Sequence, residues 1–412
     1  MTEPVMNSDE QPPTDTEATS RSNRSRSNWL ELLQVGPRTV GFARQAQRTT
    51  PGSPVPTLGR SPWPLVQAAV DDMFLSVGRI RGEADARKLD PDAILAEQHE
   101  ALAAIERAGI EADPRLLFPA PPPVTQTRIT DRRRPGVRFE HLSFPSHFVP
   151  PEGLPRADRW RADSANHVAH AYLLRDDDRA RPWIVAIHGV GAGEPLDLLW
   201  MGSVRYHRRL SVNVINVVLP RHGPRSRTPS DDQFPGSDVL VNLYGFAQAM
   251  SDIRAALAWA RAQGATAIAV HGISLGSYAA ALLAGLEADL DCVIAGTPLV
   301  DVVELVRSHV MRYEHGEHEV MELIRDPSTQ RLNALICPLT FPPLPPKPNR
   351  VIYAAIADRI ATPEQAVALW EHWEEPETLW LPAGHIGAVF ARKTRDFVEA
   401  AMRSRGIVAS EE

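Results

Sequence analysis

The sequence predicts an α/β protein whose central sheet is mostly parallel and covered by helices on both faces. From about residue 124 onward, short apolar runs of strand length alternate with stretches of helical periodicity, the pattern of strands joined by crossover helices. Trp183-Ile184-Val185-Ala186-Ile187 is apolar throughout, as expected of a strand buried on both faces. Several runs end in glycine- or proline-bearing turns, such as His188-Gly189 and Leu219-Pro220-Arg221-His222-Gly223.

Residues 1–60 are rich in Ser, Thr, Pro, Arg and Asn and poor in apolar side chains, so they are expected to be a disordered polar tail. The basic stretch at residues 20–27 within it reads as solvated. Residues 61–123 form a helical extension and linker. Val66, Val70, Met73, Val77 and Ile80 give one apolar stripe that predicts a helix packed through that face. Asp90-Pro91 is an N-cap with proline at the first helical position, Leu95, Leu102 and Ile105 supply the buried face, and Gly109 is the stop. No recognisable chemistry lies on either helix. A proline-rich linker at residues 119–123 leads into the domain spanning 124–412.

Eight strands are expected there, at residues 138–144, 167–174, 183–187, 212–218, 266–271, 292–295, 351–357 and 378–381. Leu243, Phe246, Met250, Ile253, Leu257 and Ala260 mark a long helix that Gly264 ends, and a final helix is expected over residues 387–403. Residues 302–349 exceed what such a core requires. Within them 302–311 looks helical and 341–346 extended, a lid or a connector.

Length and composition set bounds. The 412 residues suffice for one large domain with additions, or for two. A net charge of −7 is mild and gives no concentrated basic surface for nucleic acid. Cys292 and Cys337 are the two cysteines, too few for a metal-ligand set or a disulfide framework; free thiols in a reducing compartment are expected. The N-terminus lacks an apolar core behind its first charges, and no run of about eighteen uncharged apolar residues occurs. A cytosolic protein without a membrane span is expected.

The chemistry centres on His271-Gly272-Ile273-Ser274-Leu275-Gly276-Ser277. A Gly-x-Ser-x-Gly pentapeptide is weak evidence alone, but this copy lies where an apolar strand meets a helix, the setting of a nucleophile elbow. Gly272 and Gly276 leave room for the tight crossing, and the turn aims the Leu275 amide at a substrate. A serine needs a base, and in such a turn the acid and histidine follow it in the chain. Asp358 sits after the strand candidate at 351–357, ahead of the capping box Thr362-Pro363-Glu364-Gln365. Asp301, after the preceding strand, is the competing acid. His385, between Gly384 and Gly387, has the required order and loop setting, and the glycines are expected to let its loop reach across the sheet edge. The glycine-rich His188–Gly193 turn offers the Val190 amide, or that of Gly191, as a second oxyanion donor beside Leu275. It lacks a phosphate-loop lysine and the dinucleotide-binding glycine pattern. His188 and His222 read as structural. No metal-ligand spacing appears, and no cofactor is expected.

Together these motifs resemble the α/β-hydrolase superfamily of esterases and lipases, over about residues 130–405. The resemblance implies an eight-stranded, mostly parallel sheet and the triad Ser274, Asp358 and His385. The finer likeness is to an uncharacterised actinobacterial branch with an N-terminal helical extension. Ser277 departs from the pattern, standing where many relatives carry another glycine, and altered packing is expected there. The implied activity is cleavage of a small-molecule carboxylic ester through an acyl-enzyme. An acyltransferase, a peptidase or amidase with the same triad, and a non-catalytic binding module remain open. Haloalkane dehalogenation is disfavoured because its nucleophile is a carboxylate.

Overall fold

In the computed structural model, residues 33–46, 53–86, 90–176, 180–226, 234–236, 238–312 and 318–408 are described. The strands are β1 (Arg128–Arg134), β2 (Val137–Pro145), β3 (Val168–Leu174), β4 (Trp183–Ile187), β5 (Asn213–Val218), β6 (Ile268–Ile273), β7 (Cys292–Gly296), β8 (Arg350–Ala355) and β9 (Glu377–Leu381). They form one sheet in the order β1-β2-β3-β5-β4-β6-β7-β8-β9. β1, β2 and β3 pair antiparallel, as do β3 and β5, and the remaining pairs from β5 to β9 are parallel. The sheet therefore has nine strands, one more than expected. The added strand, β1, reads Arg-Ile-Thr-Asp-Arg-Arg-Arg and has neither an apolar run nor alternation. It is an edge strand held through its pairing with β2, and its charges discourage further pairing at that edge.

The helices are α1 (Val35–Ala46), α2 (Trp63–Ala86), α3 (Pro91–Arg107), α4 (Ala157–Ala162), α5 (Asp197–Trp200), α6 (Ser203–Leu210), α7 (Val239–Ala262), α8 (Leu275–Ala284), α9 (Val302–Arg312), α10 (His318–Arg325), α11 (Pro327–Ala334), α12 (Pro363–His372), α13 (His385–Phe390) and α14 (Arg392–Ser404). Strand alternation divides the core. Trp183, Val185 and Ile187 point to one face with α7, α8, α12 and the buried side of α3. Ile184 and Ala186 point to the other, with Tyr206 and Leu210 of α6 and Val398 and Met402 of α14. Buried on nearly every side, α7 is accordingly apolar around most of its circumference. Cys292 and Cys337 are buried free thiols. No helix among the described residues is long and apolar enough to cross a membrane.

Four expectations need correction. Within the segment expected to be disordered, residues 35–46 form α1; the basic stretch at 20–27 lies outside the described residues. The 302–349 region holds α10 and α11 beside the expected α9. Ser328 and Thr329 of α11 donate hydroxyl hydrogen bonds to Gln98 of α3 at 2.7 and 2.9 Å, so the region is tied to the N-terminal extension. The final helix is two, because Ala391 is extended (ψ 140°) and the Thr394 hydroxyl donates to the Ala388 carbonyl at 2.6 Å. Lastly, α2 turns the opposite face inward. Val66, Val70 and Met73 are exposed, while Ala68, Asp71, Asp72 and Ser76 are buried; the side chains of Val77 and Ile80 lie outside the described residues. The reason is what α2 meets, a set of backbone amides that need acceptors.

The turn after β5 is fastened by a buried ion pair. Arg225 Nη2 lies 2.8 Å from Asp252 of α7, and neither side chain reaches solvent. Arg225 also donates to the carbonyls of Val218 and Asn166, and Ser146 donates to Asp252 at 2.6 Å. Removing one partner strands a buried charge, at a cost of about 3–5 kcal/mol. Arg225→Met is expected to lower stability by that order in urea denaturation, and Arg225→Met with Asp252→Leu to recover much of it.

Candidate active site

Strand β6 runs through Gly272 and Ile273, two residues past its expected end, and delivers Ser274 directly to the start of α8. Ser274 has φ 57° and ψ −116°, a conformation that costs a residue with a Cβ and persists only where surroundings enforce it. The Ser274 amide donates to the Gly296 carbonyl at 2.9 Å, fixing the turn to β7. The flanking glycines are sterically required: a Cβ on Gly272 would lie 2.0 Å from the Gly276 carbonyl oxygen, and one on Gly276 2.0 Å from that of Ile187. Ser277 adds a brace in place of altered packing alone. Its hydroxyl donates to the Ser274 carbonyl at 2.5 Å and accepts from the Leu299 amide at 3.1 Å.

Asp358 follows β8, and His385 opens α13 after β9, so both sit at the C-terminal ends of neighbouring parallel strands, where α/β sheets place ligands. His385 Nδ1 lies 2.7 Å from Asp358 Oδ2. A carboxylate can only accept, which puts the proton on Nδ1 and leaves Nε2 with its lone pair. Asp358 Oδ1 accepts from the amides of Ile360 and Ala361 at 2.9 and 2.8 Å. Burial pushes the His385 pKa down, but the charge and hydrogen bond of Asp358, with the charge of Asp71, outweigh it and hold the imidazole above its ordinary value. Asp301, the competing acid, is engaged elsewhere: its Oδ1 accepts from the Glu304 amide and from Asn333 Nδ2, both at 3.0 Å.

Ser274 Oγ makes no hydrogen bond to any described residue, and none joins it to His385. Such contacts are often long without substrate and tighten when it binds. The amides of Val190, Gly191 and Leu275 likewise donate to no described residue, so each is free to meet an acceptor. His188 is fully committed: Nδ1 donates to the Gly189 carbonyl at 2.8 Å and Nε2 accepts from the Leu219 amide at 3.0 Å. Burial pushes its pKa down to about 4 and, with His188 beside it, that of His222 down to about 3, so both are neutral structural groups. A cavity of about 670 Å³ bounded by Phe42, Val55, Asp301, Asp358 and Arg359 is not lined by Ser274.

Side chains from α2 also reach the site, and no motif or spacing along the chain announces them. Asp71 Oδ2 accepts from the His385 amide at 2.7 Å and the Arg359 amide at 3.3 Å, and Oδ1 accepts from the Ile386 amide at 3.3 Å. Gln67 Oε1 accepts from the Gly384 amide at 3.0 Å, and Asp72 accepts from Arg359 Nε at 3.1 Å. The glycines beside His385 serve this contact and not the reach of the loop. A Cβ on Gly384 would lie 2.7 Å from Asp71 Oδ2, and one on Gly387 2.0 Å from Gln67 Oε1.

The strand order and the strand-turn-helix at Ser274 define an α/β-hydrolase fold carrying an extra edge strand. No protein-family model matches the chain. It is 40% identical over 303 residues, 72% of this chain and 71% of the relative, to an uncharacterised protein of Mycobacterium tuberculosis, called Rv2627c in strain H37Rv and MT2702 in strain CDC 1551. The chain belongs to the family of that mycobacterial protein. Among solved structures it is similar to an acetyl xylan esterase from Paenibacillus sp. R4, with TM-score 0.48 and 16% identity over 75% of this chain and 94% of that one. Acetyl xylan esterase 1 from Thermoanaerobacterium sp. gives TM-score 0.47 and 14% identity, over 68% of this chain and 88% of that one.

The electrostatics of the pair can be measured directly. Ring NMR of His385 is expected to show a protonation midpoint above 6.5, and Asp358→Asn to move it down, because the larger of the two charges that hold it up is gone.

Proposed function

We propose that this chain is a serine hydrolase that cleaves a small-molecule carboxylic ester. The observation that carries the reading is the buried Asp358–His385 pair, with Nε2 left basic, at the same sheet edge as the strained Ser274 elbow. His385 Nε2 takes the proton of Ser274 Oγ as the oxygen attacks the ester carbonyl. Asp358 holds the ring and stabilises the imidazolium. The amides of Leu275 and Val190, with Gly191 as the alternative to Val190, receive the developing oxyanion. The leaving alcohol takes the proton from His385, and water resolves the acyl-enzyme by the same route.

The test is covalent labelling by a fluorophosphonate together with turnover of short-chain nitrophenyl esters. Wild-type protein is expected to label at Ser274. Ser274→Ala should abolish labelling and lower kcat by roughly 10⁴-fold or more, and His385→Ala should abolish turnover. Equal labelling of wild type and Ser274→Ala would remove the nucleophile from the reading.

A further inference from the structure

The inward face of α2 is the polar one, and its acceptors are spent on backbone flanking both the acid and the base. Gln67 and Asp71, one helical turn apart, take the amides of Gly384, His385 and Ile386 in succession. The same Asp71 carboxylate takes the amide of Arg359, the residue that follows Asp358. Asp72 holds the Arg359 side chain, whose guanidinium also lies 4.6 Å over the ring of Phe42 in α1. One carboxylate therefore joins the two loops whose separation sets the Asp358–His385 distance. The absence of a Cβ at Gly384 makes the approach possible.

We propose that Asp71, contributed by the N-terminal extension, is a positioning residue for His385: it ties the His385 turn to the Asp358 loop and places a second negative charge beside the imidazole. The proposal rests on the reading of His385 as the general base. The charged and titratable groups facing this point are Asp71 and Asp72 from α2, Asp358 and Arg359 from the loop after β8, and His385 itself. Burial, and then the charge of Asp358, push the Asp71 carboxyl up to about 6 despite the amides that favour its ionised form. With the folded value above the ordinary 3.8, the unfolded chain releases this proton first. Stability therefore falls as pH rises from about 4 to 6, and ionised Asp71 remains a cost above that.

The experiment uses full-length wild type, Asp71→Ala, Asp71→Asn, Ser274→Ala and, as a control on the exposed face of α2, Val70→Ala. Ester kcat and KM, the pH dependence of fluorophosphonate labelling and Tm at pH 7.5 are measured. Asp71→Ala is expected to lower kcat on the order of 10- to 100-fold with KM changed by less than about twofold, since the base is displaced while substrate contacts remain. Asp71→Asn, whose carbonyl oxygen still accepts from the His385 amide, should recover part of kcat. It should also shift the acid limb of labelling to lower pH, because one of two negative charges facing the imidazole is gone. Val70→Ala should match wild type throughout. The proposal is overturned if both Asp71 variants keep the wild-type kcat and acid limb, or if activity falls only with the folded fraction. If Asp71→Ala does not fold, Asp71→Asn alone decides through its acid limb. Retained labelling of Ser274→Ala instead sinks the serine-hydrolase reading and this proposal with it, an outcome distinct from an Asp71 failure.

Discussion

Asp358 and His385 meet at 2.7 Å with both side chains buried, and much of the surrounding structure exists to make that tolerable. A buried carboxylate–imidazole pair is stable only when its other polar groups are matched, because desolvation offsets much of the attraction. The spare oxygen of Asp358 is matched by the amides of Ile360 and Ala361, which the short turn into α12 presents together. The backbone of His385 is matched by Asp71. Of the pair's own polar groups, Nε2 of His385 has no hydrogen-bond partner among the described residues, and it is the group the proposed chemistry uses.

The elbow answers a different demand. Ser274 must stand clear of strand and helix alike, so α8 has to leave β6 at an angle that presses it against the end of β4. The carbonyl of Ile187 then occupies the space a Gly276 side chain would need, and the carbonyl of Gly276 that of Gly272. The strained φ of Ser274 is held by the Gly296 carbonyl on one side and by Ser277, itself anchored to Leu299, on the other. Sheet order supplies the rest. β4 and β7 flank β6, while the turns after β8 and β9 carry Asp358 and His385 at the same edge.

What was legible in the sequence is what depends on neighbours along the chain. Uninterrupted apolar runs marked the central strands because burial on both faces leaves no polar positions, and β4 fell at its expected bounds. The elbow was legible because its constraint is local, two glycines and a serine within five residues. Edge strand β1 was not, since an edge needs only one partner and Arg128–Arg134 carries almost no apolar signal. The break at Ala391 was hidden for a similar reason: no glycine or proline marks it, and the hydroxyl of Thr394 receives the helix end.

The role of α2 was illegible for a deeper reason. Periodicity assigns the apolar stripe to the interior, an inference that holds when the surface to be covered is itself apolar. Beside the apolar Ile356 and Ala357 on which Ala68 packs, the surface α2 covers holds a row of backbone N–H groups at Arg359 and at residues 384–386, and burying these donors without acceptors would be costly enough to offset leaving a few aliphatic side chains exposed. Val66, Val70 and Met73 are left outside so that Asp71 and Gln67 can be inside. A sequence pattern records which residues are apolar but not which donors await them. The two glycines around His385 are the trace of the same contact on the opposite side, and their meaning emerges only once the helix they admit is in place.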